Sequence, residues 1–402
     1  MIHQSEAGIP PHSWRQNRMN PKLESRCARK FFMLRFQYDK LLLVLLIGAC
    51  RLQLFAQPQQ QYSLSGTVLD ADTGKPLPHA NVFLANTMKG SVTDSTGRFL
   101  IRGVPGGTFE IVVSRVGYEV AKREIQVAGE LVITPAFKLR PLVLTGEDVE
   151  VTASVPKKWK AQLERFTDLL LSTTKNATKT KILNPAMLDF REENDGLTAT
   201  AAEPLLIENL ALGYKLTLVL MKFAASEQKL QYNGSIKFDE LAPASEKQTE
   251  EWRKNRLRAY QGSLRHFLAT VCDTTIGPTI RLKQEGFEVF TFKFLWERET
   301  QRNAEPLPVD RFLRRDKKTN AFYLDFHDYL GVRYIHDREE KPFLYYHQLT
   351  RDAGVQESWI TLEGNDVKID QQGRYANELA IAKFGYWAWE RLADMLPYEY
   401  SP

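Results

Sequence analysis

The spacing of turn residues between Tyr62 and Leu139 constrains this chain more than any other feature. In "TGKPLPHANVFLANTMKGSVTDSTGRFLI", Thr73 to Ile101, two TG pairs and two prolines cut the apolar residues into runs too short for helices. Upstream, "YSLSGTVLD" alternates, with Leu64, Gly66 and Val68 on one side and Ser63, Ser65 and Thr67 on the other. Further short runs follow at "NVFL", "GSVTD", "RFLI", "TFEIVVS", "REIQV" and "ITPAFKL", each bounded by Gly, Pro or Asn/Asp. A period of two marks a half-buried strand, and seven such runs with a turn about every ten residues predict an antiparallel β-sandwich. Gly74, Gly97, Gly106 and Gly107 fall where tight turns need positive φ, which glycine enters without steric cost.

Beyond this stretch the pattern changes. Trp159, Leu163, Phe166 and Leu170 recur at helical spacing and predict an amphipathic helix over 157–171. "YKLTLVLMKF" and "FEVFTFKFL" read as buried strands. Between them, Ser245 with Gln248 three residues on forms a capping box. It opens a long helix with Trp252, Leu257, Tyr260, Leu264, Phe267 and Val271 on one face. Strands are expected at "AFYLDFHD", "VRYIHD", "FLYYHQL", "SWITL" and "DVKID", and a last helix near "GYWAWERLADML". With 402 residues, two or three domains are expected. The sequence therefore predicts a β-rich multidomain chain: a sandwich over 57–150, a linker over 151–158 and an α+β domain over 159–402.

Residues 1–56 read as a leader. From Met33, a candidate true start, "MLRFQYDK" supplies a charged region, "LLLVLLI" a short apolar one, and smaller residues follow. Two processing sites compete: cleavage after Ala56 to expose Gln57, and lipidation at Cys50 in "IGAC". Arg51 interrupts the apolar run, which argues against a retained spanning helix. Export is expected either way, to the periplasm or the outer membrane. The leader also accounts for the net charge of +5, because it holds nine Lys/Arg against three Asp/Glu and leaves 45 basic against 46 acidic residues. That balance gives no electrostatic case for nucleic-acid binding. Cys272 is the one cysteine after residue 56, so no internal disulfide can form, and a buried, inert thiol is expected.

The elements D-x-x-TG-x-PL, T-D-x-x-G-x-F and VGY, at Asp70–Leu77, Thr93–Phe99 and Val116–Tyr118, carry a resemblance. Over about Ser63–Leu139 the chain resembles the carboxypeptidase-regulatory-like domain, a prealbumin-like seven-stranded sandwich. In many Bacteroidota outer-membrane receptors this module leads through a stretch like "VEVTAS" into a plug and barrel. Here "VPKKWKAQLERFTDLLL" follows, and the roughly 250 remaining residues are too few for both. "ILNPAMLDF", "PLLIENLALGYKL", "EEWRKNRLRAYQGSLRHFL" and "GYWAWERLADMLPYEY" resemble instead the body of Bacteroidota carboxypeptidase-like regulatory domain-containing envelope proteins, whose activity is unassigned.

The catalytic patterns in the chain are incomplete. "HDRE" places His336 and Glu339 as an H-x-x-E pair, but a zinc peptidase needs a distant second histidine, and only His347 follows. His327, His336 and His347 are metal candidates if adjacent strands bring them together; exposed hairpin residues are the plainer reading. "STTK", Ser172 to Lys175, lacks the partner motifs of serine acyltransferases. Arg253 and Arg256, in a basic helix face with Lys254 and Arg258, and Trp389, the freer of two tryptophans beside Trp387, are candidates for an anionic headgroup or a sugar. No cofactor is implied. The sequence favours a non-enzymatic envelope protein whose sandwich is a spacer and docking surface for an envelope partner or glycan. The alternative is an exported hydrolase with an unrecognised, His-rich metal site.

Mass spectrometry of the envelope protein should find an N-terminus at Gln57. A diacylglyceryl group on Cys50 would show lipidation instead.

Overall fold

In the computed structural model, which describes residues 61–142, 156–193, 196–226, 229–295, 299–302, 306–375 and 377–402, the first strand keeps its alternation: Leu64 and Val68 are fully buried. The leader, with Met33, Cys50, Ala56 and Gln57, and most of the 151–158 linker lie outside these residues. The sandwich comprises β1 (Gln61–Asp70), β2 (Asn81–Leu84), β3 (Gly90–Val92), β4 (Arg98–Pro105), β5 (Gly107–Ser114), β6 (Ala121–Val127), β7 (Leu131–Ile133) and β8 (Phe137–Leu139). One sheet runs β4-β1-β7, with β8 also on β1; the other runs β3-β2-β5-β6. The seventh expected strand is thus split into β7 and β8, with Pro135, which has no N–H to donate, between them. Both pieces run parallel to β1, the exception to antiparallel pairing in the sandwich.

The quoted motifs are the ties that close this module. Asp70 Oδ1 accepts from the backbone N–H of Asp72 and Thr73 and from Thr73 Oγ1, and Oδ2 accepts from Tyr118 Oη at 2.9 Å. The D-x-x-TG and VGY elements therefore meet in one hydrogen-bonded corner. Gly97 has φ +71, and a Cβ there would lie 2.5 Å from the Val68 carbonyl oxygen. Gly74 and Gly107 also have positive φ; Gly106, against expectation, does not.

The body is built on two larger sheets. The first joins β9 (Thr180–Ile182), β10 (Leu188–Glu193), β11 (Gly196–Ala201), β12 (Leu205–Asn209), β13 (Tyr214–Ala225) and β14 (Leu230–Glu240), with β14 on β13. Helix α1 (Lys157–Leu171) buries Phe166 and Leu170 against it, as its spacing predicts. The second sheet, β16-β15-β19-β20-β22, contains β15 (Phe287–Leu295), β16 (Glu299–Arg302), β19 (Tyr329–Arg338), β20 (Val355–Leu362) and β22 (Ile381–Gly385). A small sheet of β17 (Leu313–Arg315), β18 (Phe322–Leu324) and β21 (Val367–Ile369) adds to the core on which the helices below pack.

Three helical expectations change. The long helix is two, α2 (Glu246–Tyr260) and α3 (Leu264–Val271), followed by α4 (Pro278–Glu285). Ser245 caps α2 as predicted, and Ser263 caps α3 by accepting from His266 N–H. The break is Gly262, at φ +78, where a Cβ would sit 2.6 Å from the Tyr334 ring and whose carbonyl accepts from Trp387 Nε1. "FLYYHQL" is not a strand: α5 (Lys341–Tyr346) carries Pro342 in its first turn, where its fixed φ suits a helix start. The last helix is only α6 (Tyr386–Trp389), because Glu390 turns extended; Leu392–Asp394 then forms a 3-10 turn.

Gln61–Pro402 form one compact unit, so the sandwich is not a free module on a linker. Asn86 N–H donates to Ile236 O and Phe238 N–H to Thr87 O, so the β2–β3 turn adds a short parallel bridge to the outer edge of β14. Behind it, Phe83, Ala85 and Val112 of the sandwich and Val219 of β13 form one buried cluster. Arg374 crosses from the body to donate to Gly106 O and lies over the Phe109 ring, in space that a Cβ on Gly107 would occupy.

Phe83→Ala should cost the whole protein about 3 kcal/mol in denaturant unfolding, the penalty for emptying a buried phenylalanine site. In residues 57–154 expressed alone, where this face is open, the same change should cost within about 0.5 kcal/mol.

Candidate functional site

The outer face of the second sheet is aromatic. Trp359 on β20 and Phe384 on β22 are register partners, and their rings stack at 3° with centroids 6.2 Å apart. A cleft of about 750 Å³ lies over them. Phe343 and Tyr346 of α5 and Trp389 of α6 contribute further aromatic lining.

Two of the three arginines that line the cleft are matched by carboxylates, and the third is held by carbonyls. Glu339, at the end of β19, is 5% exposed; its carboxylate accepts from both Arg351 terminal nitrogens, at 2.6 and 2.9 Å, and from Gly354 N–H at 3.0 Å. That contact raises the Arg351 pKa further above its ordinary value. Glu357 accepts from Arg333, which also reaches Glu288. Arg391 donates to the carbonyls of Ala388, Asp168 and Leu169. His347, against the Phe343 ring, has its pKa lowered by burial, which favours neutral imidazole. The cleft therefore presents rings, two ion pairs and the carbonyl-bound Arg391 guanidinium.

Of the sequence candidates, His347 and Trp389 line the cleft; the others lie elsewhere or are otherwise occupied. His327 is exposed after β18, His336 is exposed near the end of β19 against Tyr334, and His347 ends α5. Among the described residues no group of three or more His, Cys, Asp or Glu is arranged to hold a metal ion. Trp389 is not the freer tryptophan: it is 2% exposed, and its Nε1 donates to Thr173 Oγ1. Trp387 is core, as expected. Arg253 is exposed and pairs with Glu250 on its own helix, while Arg256 donates to Leu212 O, Gly213 O and Glu240 and lies over Tyr214, so Arg256 acts within the fold. Ser172 is buried and donates to the Trp389 carbonyl. Cys272 is a free, buried thiol whose pKa burial pushes up to about 12. Sequence reasoning missed Phe343, Tyr346, Trp359 and Phe384. The alternation of "ESWIT", with Ser358 and Ile360 buried, was the signal that Trp359 faces the other way.

Beside α6 lies a node of acids. Asp394 Oδ1 accepts from Asn176 Nδ2 at 2.9 Å, while Oδ2 is buried without a donor. Burial pushes the Asp394 pKa up to about 7, reinforced by Glu340 and opposed by Thr174, Asn176 and Arg258. Burial, with Asp394 and Glu340 nearby, also raises Glu390.

Between the ordinary aspartate value of 3.8 and about 7, the folded protein holds a proton at Asp394 that the unfolded chain has lost. Its contribution to stability is present below that window and fades as pH rises through it. Urea unfolding at stepped pH should show this decline, and Asp394→Asn should flatten it. Thermal melts with chelator and with added zinc should coincide, and His336→Ala should leave both unchanged.

No curated protein sequence matches the chain. Among solved structures, a type II cohesin–X-dockerin complex from Acetivibrio cellulolyticus is 20% identical, covering 20% of this chain and 58% of that one, at a TM-score of 0.19. The group B streptococcus pilus 2b backbone protein is 16% identical, covering 20% and 41%, at 0.18. Klebsiella pneumoniae 5-hydroxyisourate hydrolase is 20% identical, covering 20% and 90%, at 0.17. The chain thus spans less than two thirds of the first structures it matches, 58% and 56% of their lengths. In sequence, residues 64–151 match the family model described as the CarboxypepD_reg-like domain, which is the resemblance that the strand and turn motifs carry.

Proposed function

We propose that this is a non-enzymatic, exported envelope protein whose CarboxypepD_reg-like sandwich and α+β body act together as one docking unit for an envelope partner or glycan. One observation carries the reading: both carboxylates lining the 750 Å³ cleft are held by guanidinium groups, Glu339 by Arg351 and Glu357 by Arg333. A carboxylate acting as general base must be free to take a proton from a bound substrate, which leaves His347, whose neutral imidazole also lines the cleft, as the candidate base that the substitution below tests. Arg351 occupies both oxygens of Glu339, and Arg333 occupies Oε2 of Glu357 with two nitrogens, so the lone pairs a base would use already accept hydrogen bonds.

The sandwich adds surface rather than chemistry. Its match is to a regulatory-type module. Its attachment to β14 fixes the angle at which it is presented. The leader supports export. No helix among the described residues is long and apolar enough to cross a membrane.

Chromogenic ester, peptide, glycoside and phosphate substrates, tested with and without zinc, should give no turnover above buffer. Turnover that Glu339→Gln or His347→Ala abolishes would establish the exported hydrolase instead.

A further inference from the structure

We propose that the cleft over β20 and β22 binds a neutral pyranose oligosaccharide. This deepens the docking reading and rests on it, since it assigns the cleft to binding.

The chemistry of the walls selects the ligand. Trp359 and Phe384, stacked on one another, line the cleft with apolar aromatic surface, and Phe343 and Tyr346 lie beside them. A pyranose ring has a C–H face that packs on such a surface and hydroxyls around its rim that both donate and accept. The Arg351–Glu339 and Arg333–Glu357 pairs offer donors and acceptors while cancelling each other's charge. An anionic ligand would face Glu339 and Glu357, and a cationic one Arg333 and Arg351. A purely apolar ligand would cover these polar groups and return no hydrogen bonds, which is costly. Uncharged polyols meet neither objection.

Position and size agree. The cleft lies on the face of the sheet, where recognition falls to side chains. An extended peptide is gripped instead by main-chain groups along a sheet edge. A volume of about 750 Å³ suits a ligand of several rings. Tyr346 also lines a second cleft of about 430 Å³ that contains Glu164, Arg165 and Asp168, again of mixed charge. That shared wall gives a longer saccharide a second subsite.

The test is calorimetric titration of the intact protein with cellotetraose, maltotetraose and the β-1,4-linked tetramer of N-acetylglucosamine, followed also by tryptophan fluorescence. At least one should bind, with an affinity nearly independent of salt. Trp359→Ala should weaken binding about tenfold, the scale of one lost aromatic contact, and Trp359→Phe should restore part of it. Tyr345→Ala, 88% exposed and outside the lining, should change nothing. Should Trp359→Ala fail to fold, Tyr346→Ala replaces it. Binding of none of the three sugars, binding only of a charged polymer such as polygalacturonate with affinity lost in salt, or binding indifferent to the lining variants would each overturn the proposal. The two readings fail separately. Cleavage of the bound sugar would overturn the non-enzymatic reading and leave the sugar site standing; no sugar binding and no turnover would do the reverse.

Discussion

The attachment of the sandwich to the outer edge of β14 is the interaction on which the rest of the structure depends. An open strand edge leaves backbone N–H and C=O groups without partners. Here the Asn86–Thr87 turn meets those of Ile236 and Phe238, and Phe83, Val112 and Val219 close over the join. Tyr398 N–H donates to Asn86 O, and Glu399 accepts from Met88 N–H at 3.0 Å, so the C-terminal segment is part of the same seam. Arg265 secures that segment from within the body by donating to the carbonyls of Gln372, Pro397, Tyr398 and Tyr400. Two modules with separate cores are thereby held in one fixed arrangement.

The same logic shapes the cleft. A β-sheet buries one face readily; a second buried face needs another layer. On the second body sheet, Val332 and Ile360 point into the core, while Arg333, Glu357, Trp359 and Phe384 point the other way. Short helices α5 and α6 cover that outer face only in part, and the uncovered remainder is the cleft. Its ion pairs follow from that half-covered state, since charges leaving bulk water need partners. Nearby, Asp394 and Glu390 lack such partners, and their carboxyls favour the protonated form instead.

Much of the sandwich was legible because its information is local. Turn glycines, strand alternation and the Asp70–Thr73 turn act within a few residues. The α1 face and the Ser245 cap were legible for the same reason. One non-local signal was present and misassigned: in "TFEIVVS", Ile111, Val112 and Val113 are all fully buried, because β5 faces its own core on one side and the body on the other. A continuous apolar run of this kind marks a strand covered on both faces. The helix over 245–271 failed at Gly262, where packing of Tyr334 and a bond from Trp387 outweigh helical periodicity.

The candidate site was legible only as an inventory of residue types. Sequence alone determined the first six strands and most turns of the sandwich, the charge balance beyond the leader and the absence of an internal disulfide after residue 56, since each depends on short-range sterics or on counting. Tertiary structure decided that Trp389 is enclosed, that Arg256 serves the fold, and that Trp359 and Phe384 line the cleft. Those outcomes depend on which surfaces meet across hundreds of residues, and a ring or a guanidinium has the same local pattern whether a neighbour covers it or not.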